Sequence, residues 1–267
     1  MNILQLLFTV LFMTLYTVVF SQLLQGEEER TYLYKTEVKN DDTLRYRIMY
    51  PLGFDETKEY PLVIFFHGMG ERGVDNERQL AHGSKLFKDS LEKYPAIVMF
   101  PQCPPTDYWA NLSRPDKGGA ARKFDFYYNE EANPTMDIVI DVVNDLVAET
   151  FIDNSRIYAS GLSMGGMGTF EFAYRMNDKL ACAMPICGGG PKDKAEGMTD
   201  VPFWIFHGLK DDVVHPRYSI MMMQAIQQAG GMAKITLFEN ANHNSWDPAF
   251  ADPNYLKWMF NQKRKIK

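Results

Sequence analysis

Apolar and polar residues alternate between Thr31 and Pro51, and this period of two is typical of half-buried antiparallel strands. Further along the chain, short continuous apolar runs replace the alternation. Such runs are typical of strands that are covered on both faces, as in a parallel sheet. We predict six buried strands of this kind: Tyr60–Phe66, Ala96–Phe100, Arg156–Ser160, Leu180–Ile186, Phe203–Phe206 and Ile235–Phe238.

Helical patterns lie between these runs and complete an α/β alternation. We predict four helices: Gln79–Leu91, Met136–Phe151, Met167–Met176 and Tyr218–Ala229. Strands that alternate with helices favour an α/β fold, in which a mostly parallel central sheet carries helices on both faces. The segment Asn111–Asn133 interrupts the alternation and has no period. A loop of that length in a compact domain is often functional or disordered.

The N-terminal region has a different character, because residues 3–20 are almost all apolar and carry no charge. Val19 and Ser21 are small residues of the kind that a signal peptidase requires before its cut. We therefore predict a signal peptide over residues 1–21, a single domain over residues 22–267, and a secreted or periplasmic location without stable membrane association after cleavage. An uncleaved membrane anchor is the alternative, since the run is close to the length that a bilayer requires.

Composition narrows the classes of function. The chain has 267 residues and is 46% hydrophobic, which is enough apolar material for a sizeable core. Its 28 basic and 34 acidic side chains give a net charge of −6, and we expect no nucleic-acid partner because phosphate binding requires a basic face. Three cysteines are too few for a disulfide scaffold, although a bridge between Cys103 and Cys187 stays open. The CxxC and HExxH spacings do not occur, so we expect no metal site and no cofactor.

The most specific local pattern is the pentapeptide Gly-Leu-Ser-Met-Gly at positions 161–165. It lies between the predicted strand Arg156–Ser160 and the predicted helix Met167–Met176. A strand, a sharp turn and a helix are the setting that a nucleophile elbow requires, and the two glycines leave room for the tight turn. We therefore predict that Ser163 is the nucleophile of a serine hydrolase.

A serine hydroxyl is a weak nucleophile and needs a base to activate it. In folds with this elbow the chain order is serine, acid, histidine. Among the five histidines only His243 follows both Ser163 and a candidate acid and lies in a separate strand-end loop. Asp211 and Asp212 both follow the predicted strand Phe203–Phe206, and the residues alone do not separate them. Carboxyl ends of neighbouring parallel strands face one crevice, so these groups can converge.

Acyl transfer also needs N–H donors for the oxyanion that develops on the substrate. The backbone N–H of Met164, directly after the nucleophile, is one predicted donor. The second should come from a loop after an earlier strand. The segment His-Gly-Met-Gly at 67–70 follows the predicted strand Tyr60–Phe66 and resembles the HGGG-type loop of esterases. We assign the second donor to the N–H of Met69.

Several longer segments resemble one group of α/β hydrolases. They are residues 67–76, residues 101–104 with Trp109, and residues 156–166, together with the loops of the candidate acid and base. The group comprises secreted esterases related to feruloyl and acetylxylan esterases, polyhydroxybutyrate depolymerases and dienelactone hydrolases, and its members are often labelled predicted peptidases. The resemblance extends over about residues 62–246 and implies an α/β-hydrolase fold with a Ser-His-Asp triad.

The resemblance also implies roles for individual residues. The family acid follows a His-Gly-x-x-Asp pattern, which favours Asp211 over Asp212. An aromatic residue after the Cys-Pro segment lines the site in many members, so Trp109 is a candidate substrate wall. His67 and Trp246 are the other candidate substrate contacts.

The function implied is carboxylic ester hydrolysis on a small-molecule or polysaccharide ester, such as a feruloyl or acetyl ester of plant polysaccharide. Two alternatives stay open. One is a serine peptidase of the prolyl-oligopeptidase type, although that class needs a large gating domain. The other is an inert binding protein on a hydrolase scaffold, against which the intact Ser163, Asp211 and His243 argue.

Overall fold

The computed structural model describes residues 33–39, 42–113, 123–129 and 131–264. The predicted signal peptide over residues 1–21 lies outside these residues. A central sheet is built from eight strands: β1 (Leu33–Lys39), β2 (Asp42–Met49), β3 (Tyr60–Phe66), β4 (Ile97–Gln102), β7 (Ile152–Leu162), β8 (Cys182–Ile186), β9 (Phe203–Gly208) and β10 (Ala233–Phe238). Two short strands, β5 (Leu112–Ser113) and β6 (Asp125–Phe126), pair with each other outside it.

The strands of the central sheet follow the order β1-β2-β4-β3-β7-β8-β9-β10. Strand β2 pairs antiparallel with both β1 and β4, and the other neighbours pair in parallel. The prediction of a mostly parallel sheet with an antiparallel start is therefore confirmed. Every residue of β3, β4, β8 and β9 is buried, which is why these strands appear in the sequence as continuous apolar runs.

Helices cover both faces of the sheet. They are α1 (Ser84–Lys88), α2 (Pro134–Val147), α3 (Met164–Arg175), α4 (Arg217–Gln228), α5 (Trp246–Ala251) and α6 (Tyr255–Asn261). Apolar residues of α2, α3 and α4 belong to one core cluster, and those of α1, α5 and α6 belong to a second. Within the described ranges, none of the helices combines the length and the apolar character that crossing a bilayer requires.

The predicted helix Gln79–Leu91 is wrong as one element. A short 3-10 turn at Arg78–Leu80 and the helix α1 are separated by Gly83, whose φ is 83°. A Cβ at this glycine would lie 2.4 Å from the ring of Phe65, so the backbone passes directly over a core side chain. The close approach requires glycine and a positive φ, and these end the helical path.

The described part of the aperiodic segment 111–133 is tied to α4. Phe124 and Phe126 pack against the ring of Tyr218, and the N–H of Phe124 donates to the Tyr218 hydroxyl at 2.9 Å. The segment therefore forms a wall beside the carboxyl ends of the parallel strands.

Candidate active site

Ser163 lies between the end of β7 and the start of α3, and its backbone is strained. Its φ of 55° and ψ of −116° are unusual for a residue with a side chain, and such outliers concentrate at functional sites. The turn is tight because a Cβ at Gly165 would lie 2.0 Å from the Phe66 carbonyl oxygen. The glycine therefore lets helix α3 start directly against strand β3, which is the arrangement expected of a nucleophile elbow.

Asp211 and His243 approach Ser163 from the ends of the last two strands of the sheet, β9 and β10. The Oγ atom of Ser163 lies 2.8 Å from Nε2 of His243, and Nδ1 of His243 lies 2.8 Å from Oδ2 of Asp211. Asp211 follows β9 and His243 follows β10, so the carboxyl ends of three parallel strands bring the three side chains together. The structure thus joins the three predicted residues in one hydrogen-bonded chain.

Asp211 is held on both of its oxygens. Oδ1 accepts the N–H groups of Val213 and Val214 at 2.9 and 2.8 Å, and Oδ2 faces His243 and a second imidazole, that of His207, at 3.1 Å. Burial acts to raise the pKa of this carboxyl, but the hydrogen bonds from the two histidines and the Val214 N–H, together with the electrostatic attraction of His243, outweigh it and hold the pKa well below its usual range. The side chain is therefore a carboxylate at neutral pH.

The neighbouring Asp212 lies in a different environment from Asp211. Its side chain is exposed, and its backbone N–H donates to the side-chain oxygen of Asn242 at 3.2 Å. The contacts therefore select Asp211 as the partner of His243, as the resemblance had favoured.

Met164 and Met69, the two predicted oxyanion donors, line the same cleft as Ser163. Met164 is the first residue of α3, and the N–H groups of a first helical turn have no intrahelical acceptor. Met69 begins a single 3-10 turn, Met69–Glu71, directly after β3. Both positions lie at the carboxyl edge of the sheet beside the serine, where backbone donors for an oxyanion are needed.

His67 does not line the cleft, although the sequence suggested it as a substrate contact. The ring is 1% exposed, and burial lowers its pKa to about 4, so it is neutral. Its Nε2 atom accepts the N–H of Cys103 at 3.0 Å, which leaves the ring proton on Nδ1, and Nδ1 donates to the Gly68 carbonyl at 2.6 Å. His67 therefore fixes the loop that carries Met69 from below.

Trp109 is also placed beneath the cleft and not in its wall. The side chain is fully buried, and its indole N–H donates to the carbonyl of His67 at 3.0 Å. The two rings pack edge to face with their centroids 5.1 Å apart. The expectation of a substrate wall is therefore corrected, because the indole is buried beneath the cleft and its N–H donates to the start of the loop that carries Met69.

The cleft above Ser163 encloses about 230 Å³. Four of its lining side chains belong to one apolar cluster: Phe124, Met167, Val213 and Val214. Three others contact one another, since Glu71 Oε1 lies 3.8 Å from His82 Nε2 and the rings of His82 and Trp246 are 5.3 Å apart. Trp246 lies in the cleft as the sequence suggested, with its ring 5.6 Å from that of His243.

A family model described as phospholipase/carboxylesterase matches residues 54–254, which is most of the chain. The chain belongs to the phospholipase/carboxylesterase family of α/β hydrolases. The match contains the strand-end loops of Met69, Ser163, Asp211 and His243.

Curated relatives of this phospholipase/carboxylesterase family member include two esterases. A segment of 77 residues is 32% identical to the bifunctional acetylxylan esterase/xylanase XynS20E of Neocallimastix patriciarum, over 29% of this chain and 12% of that protein. A longer match of 200 residues is 26% identical to acyl-protein thioesterase 1 homolog 2 of Dictyostelium discoideum, over 68% of this chain and 85% of that protein.

Solved structures show the same fold. A thermostable esterase is 31% identical with a TM-score of 0.78, and the match covers 88% of this chain and 64% of that one. A ferulic acid esterase is 15% identical with a TM-score of 0.60, over 86% of this chain and 96% of that one, and so shows the fold alone. The chain spans less than two thirds of the length of the thermostable esterase and of XynS20E.

Among the described residues, Cys187 forms with Asp211 and His243 a group that could suggest a metal site. Its sulfur, an oxygen of Asp211 and a ring nitrogen of His243 lie within 4.8 Å of one another. Burial raises the pKa of the thiol, so it stays protonated, while the carboxylate and imidazole are already hydrogen-bonded to each other. All three cysteines are buried and free, so the bridge between Cys103 and Cys187 does not form.

Sequence reasoning missed one residue of the site, His207. Chain order excludes it as the base because it precedes the acid, yet its Nε2 atom lies 3.1 Å from Oδ2 of Asp211, the oxygen that His243 also contacts. A signal was present in the sequence, since His207 ends an apolar strand, precedes a glycine and lies four residues before the acid.

Proposed function

We propose that this protein is a serine carboxylic ester hydrolase that forms an acyl-enzyme intermediate on Ser163. The observation that carries the proposal is the continuous chain from Ser163 Oγ through His243 to Asp211, with both contacts at 2.8 Å. A nucleophile, a base and an orienting carboxylate in hydrogen-bond reach are the signature of an activated serine.

Each group has a role in the proposed reaction. Nε2 of His243 takes the proton as Ser163 Oγ attacks the ester carbonyl, and Asp211 stabilises the imidazolium that forms. The N–H groups of Met164 and Met69 receive the oxyanion. His243 then passes the proton to the departing alcohol, and a water molecule activated by the same imidazole hydrolyses the acyl-enzyme.

The proposed substrates are feruloyl or acetyl esters of plant polysaccharide. The apolar group of Phe124, Met167 and Val214 in the cleft lining suits an acyl group, and the polar side chains of Glu71 and His82 suit a hydroxylated alcohol. The similarity to segments of an acetylxylan esterase supports the same class. We further propose that the enzyme is exported, on the strength of the apolar run over residues 3–20.

A substrate panel tests this proposal. We expect the purified protein to hydrolyse methyl ferulate, p-nitrophenyl acetate and acetylated xylan faster than an acyl thioester or a proline-containing amide. The Ser163→Ala variant should lose at least about 10⁴-fold in kcat, because a triad without its nucleophile retains only the effects of binding and the oxyanion hole. Preferential cleavage of the amide would show that the protein is a peptidase and not an esterase. Activity of Ser163→Ala equal to that of the parent would show that Ser163 is not the nucleophile.

A further inference from the structure

His207 has a fully buried side chain at the end of β9, and it lies outside the cleft lining. We propose that His207 is a positioning residue for the acid of the triad, since its Nε2–H group fixes the Asp211 carboxylate and shares the charge that His243 would otherwise face alone. This inference rests on the proposed esterase function. In this role His207 keeps the buried Asp211 carboxylate charged and oriented.

The proton on Nε2 follows from its neighbours. Nε2 lies 3.1 Å from Asp211 Oδ2 and 2.8 Å from the carbonyl oxygen of Val214. Both of these atoms accept hydrogen bonds and neither can donate one at neutral pH. An unprotonated nitrogen would be repelled by both, so Nε2 carries a hydrogen that is shared between them.

The other ring nitrogen has an adaptable partner. Nδ1 lies 2.7 Å from the hydroxyl oxygen of Ser219, which in turn lies 3.0 Å from the carbonyl oxygen of Gly188. A hydroxyl has one proton and can direct it to either neighbour. Ser219 therefore accepts from a protonated Nδ1 or donates to a bare one, and in both arrangements the Nε2–H bond to Asp211 is kept.

Four N–H groups consequently surround the Asp211 carboxylate: those of Val213, Val214, His243 and His207. Among the described residues, the thiol of Cys187 also lies close to the carboxylate, and burial keeps this thiol neutral. Two imidazoles thus share one oxygen, Oδ2. Without His207 the negative charge would concentrate on the bond to His243 and would stabilise the protonated, inactive form of that base.

A network of this kind differs from a histidine that only fills space in the core. Its members come from separate parts of the fold: the acid loop after β9, the first turns of α4, and Gly188 after β8. Gly188 packs against Gly166 of the elbow helix, where a Cβ would lie 2.5 Å from the Gly166 carbonyl carbon. The position of the acid is thereby linked to the position of the nucleophile.

Two isosteric variants separate the role of Nε2 from the role of the ring. An Asn side chain places its amide nitrogen near the position of Nδ1 and cannot reach Asp211, whereas a Gln side chain carries its amide nitrogen to the position of Nε2. We expect His207→Asn to lower kcat on the order of ten-fold with KM unchanged, the lower part of the range that a hydrogen bond to a charged group is worth. We expect His207→Gln to keep kcat within about three-fold of the parent, since it restores that bond.

The pH profile gives a readout that loss of packing would not change. In His207→Asn the acid limb of kcat/KM should move to higher pH by about half a unit or more, because His243 is protonated more easily beside an unshared carboxylate. In His207→Gln the limb should stay where the parent has it. Thermal unfolding of both variants separates any common loss of stability from this shift.

Imidazole ¹⁵N spectra of the unmodified protein test the proton assignment without any variant. We expect the Nε2 atom of His207 to remain protonated from about pH 6 to pH 9, since both of its neighbours are acceptors. A His207 ring protonated only on Nδ1 would overturn the proposal, as would a His207→Asn variant with the kcat and acid limb of the parent. Equal losses of kcat in the Asn and Gln variants would also overturn it, because they would show that His207 contributes only by packing. Failure of the esterase proposal is distinguished from these outcomes, since the parent enzyme itself would then show no ester hydrolysis.

Discussion

Asp211 and Asp212 are adjacent in the chain but lie in opposite environments. Asp211 is 4% exposed and accepts four N–H groups, whereas the Asp212 side chain faces solvent. A carboxylate with so many donors is rigid as well as charged, and rigidity is what an imidazole needs from the group that orients it. The catalytic contribution of the two residues should therefore differ far more than their positions do.

We expect Asp211→Asn to lower kcat by about 10³- to 10⁴-fold, because an amide cannot balance the imidazolium and favours the wrong tautomer of His243. The matched variant Asp212→Asn should stay within about two-fold of the parent, since exposed substitutions away from such contacts have small effects. Hydrolysis of p-nitrophenyl acetate, normalised by active-site titration, measures both. Comparable losses in the two variants would show that the acid has been assigned to the wrong position.

Single residues also show where the sequence was sufficient and where it was not. Ser163 and His243 follow from a motif and from chain order, both of which are written in the sequence. The sequence suggests His67 and Trp109 as substrate contacts because chain order shows which loop a residue belongs to but not how deep its side chain lies. Depth depends on packing between distant segments, here the contact of the indole with the carbonyl of His67.

At the scale of elements, the loop after β3 that carries Met69 depends on buried side chains below it for its conformation. The 3-10 turn Met69–Glu71 has three residues, too few to hold a fixed conformation alone. The rings of His67 and Trp109 instead bind the two carbonyl groups that precede the turn, those of Gly68 and His67, at 2.6 and 3.0 Å. The position of the Met69 N–H thus depends on two buried aromatic side chains.

The variant Trp109→Phe keeps most of the ring and removes one donor. We expect it to reduce the free energy of unfolding by about 1–3 kcal/mol, because the buried carbonyl of His67 loses its partner, and to lower kcat more than it raises KM. Urea unfolding and steady-state kinetics measure the two effects. Trp246→Phe is the control for stability, since Trp246 is half-buried at the cleft. Unchanged stability and kcat in Trp109→Phe would show that the loop holds its shape without the indole.

The sequence predicts the bounds of an element where one hydrophobic period runs through it. It does not predict them where a contact with a distant residue breaks the element. Strand β3 runs from Tyr60 to Phe66 as the apolar run predicts. The helix predicted over Gln79–Leu91 is broken because Gly83 passes over the Phe65 ring, a contact between residues 18 positions apart. The C-terminal helices α5 and α6 were not predicted, since six or seven residues are too few to establish a helical period.

At the scale of the whole molecule, the parallel sheet explains why the site is where it is. Strands β3, β7, β9 and β10 end at one edge, and they deliver Met69, Ser163, Asp211 and His243 to the same cleft. The alternation of strands and helices predicted this edge. The order of the motifs along the chain predicted which residues lie there. The aperiodic segment carried no such signal, and only its packing on Tyr218 places Phe124 in the wall.

The hydrogen-bonded chain of Ser163, His243 and Asp211 should make Ser163 a nucleophile, and reaction with a fluorophosphonate probe tests this most directly. Such a probe reacts with a serine that an adjacent base activates. We expect intact-mass analysis to show one phosphonyl group per chain, peptide mapping to place it on Ser163, and Ser163→Ala to remain unlabelled. A parent protein that stays unlabelled although folded, or a label that maps to another residue, would contradict the account.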